Sequence, residues 1–284
     1  MNAVTVVGGV YGEECAFPLR KQVYGSAGRA AIALSELVES VTLHTALSAP
    51  AAKKILPNFD AYGVNVEIHG GNQFISFEYL HCLADPQIHP RINKIEEQAP
   101  FHIKGDLVVQ FGMIECKPTV DADICVYDPQ SPTSPLSFVE SGSKARRLAF
   151  IANAGEIELL TGQTGDGGAF QLVTSEAAEI VVAKCGLRGA RIFGKDGFIG
   201  EVPAYQAANV FTVGSGDIFV AAFAFAWGKQ GMDPLAAADY ASRAVASYVE
   251  NEVCALDSIA EVCRVERAPV RLAGGNVYLA GPFR

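Results

Sequence analysis

A chain of 284 residues, half of them apolar, is long enough to bury a large core without a disulfide or metal staple. Its net charge of −9, with no basic cluster longer than "KARR" at 144–147, excludes a nucleic-acid surface, and no apolar run reaches the ~18 residues of a membrane span. The seven cysteines include no C-x-x-C pair and the start "MNAVTVVGGVYG" carries no basic leader, so the expectation is a cytoplasmic protein with free thiols.

In chain order, strand-length apolar runs are predicted at "AVTVVGG" 3–9, "SVTLHTAL" 40–47, "GDLVVQFG" 105–112, "ADICVYD" 122–128, "RLAFIAN" 147–153 and "ARIFG" 190–194. Several are apolar on both faces, as parallel strands covered by helices must be. Between and after them, "GRAAIALSELVE", "EIELLTG", "SEAAEIVVAKCG", "GDIFVAAFAFAWGKQG" and "PLAAADYASRAVASYVE" repeat with helical period and often stop at Gly. Alternation of this kind predicts an α/β fold, a doubly wound and mostly parallel sheet. One segment breaks the rhythm: "VNVEIHGGNQFISFEYL", 64–80, alternates apolar and polar residues around a "GGN" turn, which reads as a hairpin. It forms either a small lid sheet with the extended 15–25 segment or an edge of the main sheet. A second "GGN" inside "VRLAGGNVYLAG" predicts a terminal hairpin.

Chemistry concentrates in "VGSGDIF". Gly214, Ser215 and Gly216 can bring bare backbone amides to a ligand, and the following helix adds its positive end, which together make an anion hole. Asp217 behind them is either an ordinary first-turn cap or a general base that takes a hydroxyl proton during phosphoryl transfer.

This segment resembles the terminal signature of the ribokinase-like (PfkB) carbohydrate kinase family, and the resemblance continues in the family's order over most of residues 4–250. "NAGEIELLTG" at 153–162 resembles the N-x-x-E element, with Asn153 and Glu156 in its two positions. The resemblance implies that these residues organise Mg²⁺, with Glu156 acting through water. "GKDG", Gly194 to Gly197, resembles the G-x-x-G turn beside the nucleotide, and Ser242 stands where an Asn often borders adenine. "YGSAGRAAIALSEL" resembles the first signature, which implies sugar binding at Gly25 and Gly28, with Arg29 in place of the usual Asn. Glu13 takes the place of the acid that grips sugar hydroxyls. Arg29 either meets an unusual group of the substrate or pairs with Glu13. Two departures stand out: Phe211 replaces the first Asp of the terminal signature, beside which many relatives hold a monovalent cation, and "VENEVCALDSIAEVCRVE" lacks the usual G-A-x-x-x-P.

The resemblance implies one ribokinase-like domain over 1–284 with a small β-sheet lid near 15–25 and 64–82. It implies an ATP- and Mg²⁺-dependent kinase acting on a hydroxyl of a sugar, nucleoside or related polyol, with Asp217 as base. The alternative is a ribokinase-like protein that binds nucleotide or sugar without turnover. A dinucleotide oxidoreductase fails on spacing, since Gly8, Gly9 and Gly12 do not form G-x-G-x-x-G. The alternating lid stretch "FISFEYL" could pair with its own copy in a homodimer.

Overall fold

The computed structural model describes residues 3–131, 133–209 and 211–272. The terminal hairpin expected from the second "GGN" lies outside the described residues. Thirteen strands are present among those described: β1 Ala3–Val7, β2 Gly12–Phe17, β3 Arg20–Val23, β4 Ser40–Thr45, β5 Val64–Ile68, β6 Ser76–His81, β7 Gln87–His89, β8 His102–Phe111, β9 Thr119–Asp128, β10 Lys144–Asn153, β11 Ile180–Lys184, β12 Ala190–Gly194 and β13 Gly197–Val202. The helices are α1 Gly25–Ser35, α2 Ala49–Asp60, α3 Ala154–Thr161, α4 Gly165–Ser175, α5 Ser215–Phe223, α6 Pro234–Asn251 and α7 Ile259–Arg264. A π-helical turn, Ala224–Lys229, continues α5.

Nine strands form one sheet in the order β13-β12-β11-β10-β9-β8-β1-β4-β5, with only β12 and β13 antiparallel to their neighbours. Side-chain alternation explains why the central strands read as continuous apolar runs. Ile151 and Val182 point into the core under α1, α5 and α6, while Phe150 and Val181 point to the opposite face under α3 and α4. Helix α1 is Ala-rich and wholly buried along 27–34, which lets it sit close to the sheet.

The chain leaves β1 in one direction to β4 and β5, then returns past β1 to β8 and onward to β11. That reversal between β1 and β8 opens a crevice at the C-terminal ends of both strands, the place where open sheets take ligands. A second sheet, β3-β2-β6-β7, stands over this crevice; its β2–β6 pairing is parallel and its outer pairings antiparallel.

Three expectations are corrected. The 64–80 segment is not one hairpin: β5 joins the large sheet beside β4, and only β6 enters the lid. Val64 belongs to the main core and Val66 packs against it, so the alternation serves an edge strand. The glycines between are a crossing loop, with Gly71 at φ +134 and pressed so close that a Cβ would meet the Leu47 backbone at 2.5 Å. Secondly, "SEAAEIVVAKCG" is not a helix but the end of α4, a turn and β11. Thirdly, because β12 runs antiparallel with Ile180 opposite Gly194, the Gly194–Gly197 turn lies at the edge of the sheet away from the crevice. A different turn, Gly186 to Gly189, follows the C-terminal end of β11 instead.

Candidate active site

The crevice holds a cavity of about 440 Å³ lined by Glu13, Gly25, Ser26, Gln130, Gly216 and Asp217, with Tyr79 and Phe77 from the lid. Gly25 adopts φ +59, and a Cβ there would strike the Gly9 carbonyl oxygen at 2.6 Å; only glycine lets α1 begin so close to the loop after β1. Gly28 is turned away from the cavity, against Phe59 in the core.

Arg29 lies fully buried beneath this cavity. Its Nη1 donates to Asp217 Oδ2 at 2.7 Å and to Glu13 Oε1 at 3.2 Å, while Nη2 donates to Glu13 Oε2. Arg29 thus pairs with Glu13, one of its two expected partners, and also reaches Asp217, 188 residues away in the chain. Burial works against the Arg29 charge, but Glu13, Tyr248 and Asp217 outweigh it and hold the guanidinium protonated above its usual range. Burial also lifts the Glu13 carboxyl upward, against the opposing pull of Arg29.

Asp217 is fixed from its other side by Gln130, whose Nε2 donates to Oδ1 at 2.6 Å. Ser26 Oγ in turn donates to Gln130 Oε1. Gln130 sits at φ +39, an uncommon conformation for a residue with a side chain, and its N–H donates to Asp128 Oδ1 at 3.2 Å. Gln130 was not picked out in the sequence. Its position just past the C-terminal end of β9 was the available signal.

At the mouth of α5, Gly214 adopts φ +83, and a Cβ there would lie 2.2 Å from Arg29 Nε. The Ser215 N–H turns inward to Thr212 O at 3.0 Å, and the Asp217 N–H bonds to Gly214 O at 3.1 Å. Among the described residues the Gly214 and Gly216 amides make no hydrogen bond, so two of the three expected amides remain for a ligand. Phe211 is buried in a small apolar cluster with Cys15 and Val213.

A second cavity, about 520 Å³, lies beyond the ends of β10 and β11, lined by Ala154, Ile157, Asp166, Lys184, Arg188 and Arg191 among others. Lys184 connects the two cavities: its Nζ lies 3.7 Å from where a Cβ of Gly216 would stand. It forms an ion pair with fully buried Asp128. Burial raises the Asp128 carboxyl, with the Lys184 charge opposing. Lys184 was missed because its strand was read as helix.

Asn153 and Glu156 stand beside this second cavity as a reciprocal capping box: Asn153 Oδ1 accepts from the Glu156 N–H at 3.0 Å, and Glu156 Oε2 accepts from the Asn153 N–H at 2.8 Å. The other Glu156 oxygen makes no hydrogen bond among the described residues. That one free carboxylate oxygen fits an Mg²⁺ held through waters, while Asp128, with its oxygens engaged by Lys184 and Gln130, adds negative charge nearby. Ser242 does not line the cavity; its hydroxyl donates to Pro203 O. Around it, Arg243 lies over the Tyr205 ring at 4.1 Å and pairs with Asp239 at 2.7 Å.

No helix among the described residues is long and apolar enough to cross a membrane. No curated protein matches the sequence significantly. Solved structures share the fold at low identity. A nucleoside kinase of the ribokinase family from Methanocaldococcus jannaschii is 16% identical with a TM-score of 0.68, covering 93% of this chain and 97% of that one. Fructokinase from Vibrio cholerae, solved with fructose, ADP and calcium ion, is 14% identical with a TM-score of 0.67, covering 93% and 98%. A pyrophosphate-dependent kinase in the ribokinase family, complexed with a pyrophosphate analog and myo-inositol, is 17% identical with a TM-score of 0.59, covering 87% and 95%. The model of the pfkB family of carbohydrate kinases matches residues 113–259, just over half of the chain, and the protein belongs to that family.

Proposed function

We propose that the protein transfers the terminal phosphoryl group of ATP to a hydroxyl of a sugar, nucleoside or related polyol bound in the 440 Å³ cavity. The observation that carries this reading is Asp217: its carboxylate lines the acceptor cavity, is fixed by Arg29 and Gln130, and stands directly behind the amides of Gly214 and Gly216.

In the proposed reaction the acceptor oxygen forms a bond to phosphorus while the bond to the donor's bridging oxygen breaks. The hydroxyl proton passes to Asp217. Gly214 and Gly216 amides, the N-terminal end of α5 and the Lys184 ammonium face the charge that spreads over the transferred group. Mg²⁺ held at Asn153 and Glu156 would neutralise donor phosphates. Glu13, tied to Arg29, gives the acceptor hydroxyls a fixed partner, and the lid closes the cavity from water. Large apolar side chains exposed on and beside the lid, Phe17, Leu19, Leu80 and Leu83, support a homodimer through this sheet.

A second reading keeps the reaction and replaces ATP by inorganic pyrophosphate. It is favoured by Arg188 and Lys184 on the donor cavity, Lys184 being shared with Asp128 and Arg191 already paired with Asp166 and Glu201, and by the closed Tyr205, Asp239 and Arg243 cluster where an adenine was expected beside Ser242. Incubation with Mg²⁺ and a panel of sugars, nucleosides and cyclitols, in separate arms with ATP and pyrophosphate, tests both. Acceptor-dependent product in the ATP arm supports the main reading; product in the pyrophosphate arm alone replaces the donor; tight acceptor binding without turnover in either arm makes the protein a non-catalytic binder.

A further inference from the structure

Away from the crevice, the edge of the large sheet brings together three metal-ligating side chains. Strands β4 and β5 run parallel with His44 directly opposite Glu67. Side chains alternate along a strand, so Glu67 looks away from Val64 and Val66, and His69, one residue past the end of β5 and still bonded to Thr45 O, follows in the same alternation. His44 Nδ1 lies 2.9 Å from His69 Nε2 and 3.5 Å from Glu67 Oε2, and one ligand atom from each residue falls within 4.8 Å of the others.

Those separations suit a small tetrahedral ion. With metal–ligand bonds of ~2.0–2.1 Å, neighbouring donor atoms stand about 3.3 Å apart, so the pair of ring nitrogens must open by only a few tenths of an ångström. The donors are also held in place. His44 is buried, the His69 ring stacks on Phe101 at 4.1 Å and 10°, and the His69 backbone N–H donates to Thr45 O at 2.9 Å. Glu67, with 54% of its side chain exposed, leaves an open path to solvent.

We propose that His44, Glu67 and His69 bind a divalent transition-metal ion, Zn²⁺ above all, with water in the fourth position. Two imidazoles and one carboxylate are a borderline donor set that suits zinc and not Mg²⁺, which takes oxygen ligands, so this site is independent of the phosphate-donor chemistry. The ion ties the edge strand β5 to β4 and blunts an exposed sheet edge.

The probe is Co²⁺, added to protein freed of metal by a chelator and dialysis. One equivalent should bind with the visible bands of a four-coordinate nitrogen and oxygen site, Zn²⁺ should displace it, and Zn²⁺ should raise the melting temperature. His69→Gln and Glu67→Gln, the second at a half-exposed position that leaves the core intact, should each weaken binding at least about tenfold and abolish the Zn²⁺-dependent rise. Failure to bind one equivalent would leave only a histidine–histidine hydrogen bond and overturn the site. So would binding unchanged in both variants, or a thiolate charge-transfer band placing the metal on cysteine.

Discussion

Replacing Arg29 by Met removes a buried cation while keeping most of the side-chain volume. Arg29 is the only cation contacting both Glu13 and Asp217 among the described residues, at 2.7 Å from Asp217 and 3.2 Å at one of its two Glu13 contacts. Removing one member of a buried ion pair costs about 3–5 kcal/mol, because the partner charge is left without compensation. Against this, Arg29 Nε is already a buried donor without a partner, and its removal returns roughly 1 kcal/mol. The net loss is therefore about 2–4 kcal/mol, a fall in Tm of roughly 3–7 °C for a chain of this size. Adding Glu13→Gln to the Met variant should recover part of the loss, since only one carboxylate is then stranded. Deprived of the cation that pulls against burial, the Glu13 carboxyl should rise further, so the acid limb of acceptor binding should move to higher pH. Thermal denaturation of the wild type, both single variants and the double variant gives the cycle. A Met variant that melts within about a degree of wild type, with additive effects in the double variant, would refute the triad as the keystone of the site.

Two further outcomes follow from local geometry. Gly214→Ala forces a side chain into φ +83 and onto Arg29, so it should cost more than the ~1–2 kcal/mol of left-handed strain alone and abolish turnover, whereas Gly216→Ala, which meets only Lys184 Nζ at 3.7 Å, should melt close to wild type. Buried Glu115 accepts from Tyr11 Oη at 2.7 Å, and burial lifts its carboxyl above the ordinary 4.5. A raised folded-state value means that its stabilising contribution is present below pH 4.5 and is lost as pH rises through that value. Glu115→Gln stays neutral, so its Tm relative to wild type should improve between pH 4.5 and 7; a difference independent of pH would contradict this.

Much of the architecture could be read from the chain because apolar periodicity is local. The runs at 3–9, 105–112 and 147–153 became β1, β8 and β10, and the Asn153 to Glu156 spacing became a capping box. Failures arose where local signals conflict. Four buried residues and a half-buried lysine after an Ala- and Glu-rich stretch fit helix or strand equally well, so β11 and with it Lys184 were missed, and the Gly186 to Gly189 turn was passed over for Gly194 to Gly197. Strand β5 looked like half of a hairpin because alternation records that one face is buried and says nothing about which sheet buries it. Arg29 was legible as a departure, but its bond to Asp217 spans 188 residues and exists only once α1 and α5 are packed together.

Asp217→Asn reaches the central claim most directly. The amide can keep the site's geometry, because its oxygen can accept from Arg29 and Gln130 can flip to accept from its nitrogen, with the Ser26 hydroxyl reversing its role. What disappears is the proton acceptor. With the best acceptor from the panel, the variant should match wild type in Tm and in donor binding, yet transfer phosphoryl groups about 10² to 10⁴ times more slowly. Transfer within a few-fold of the wild-type rate would contradict the assignment of Asp217 as the base.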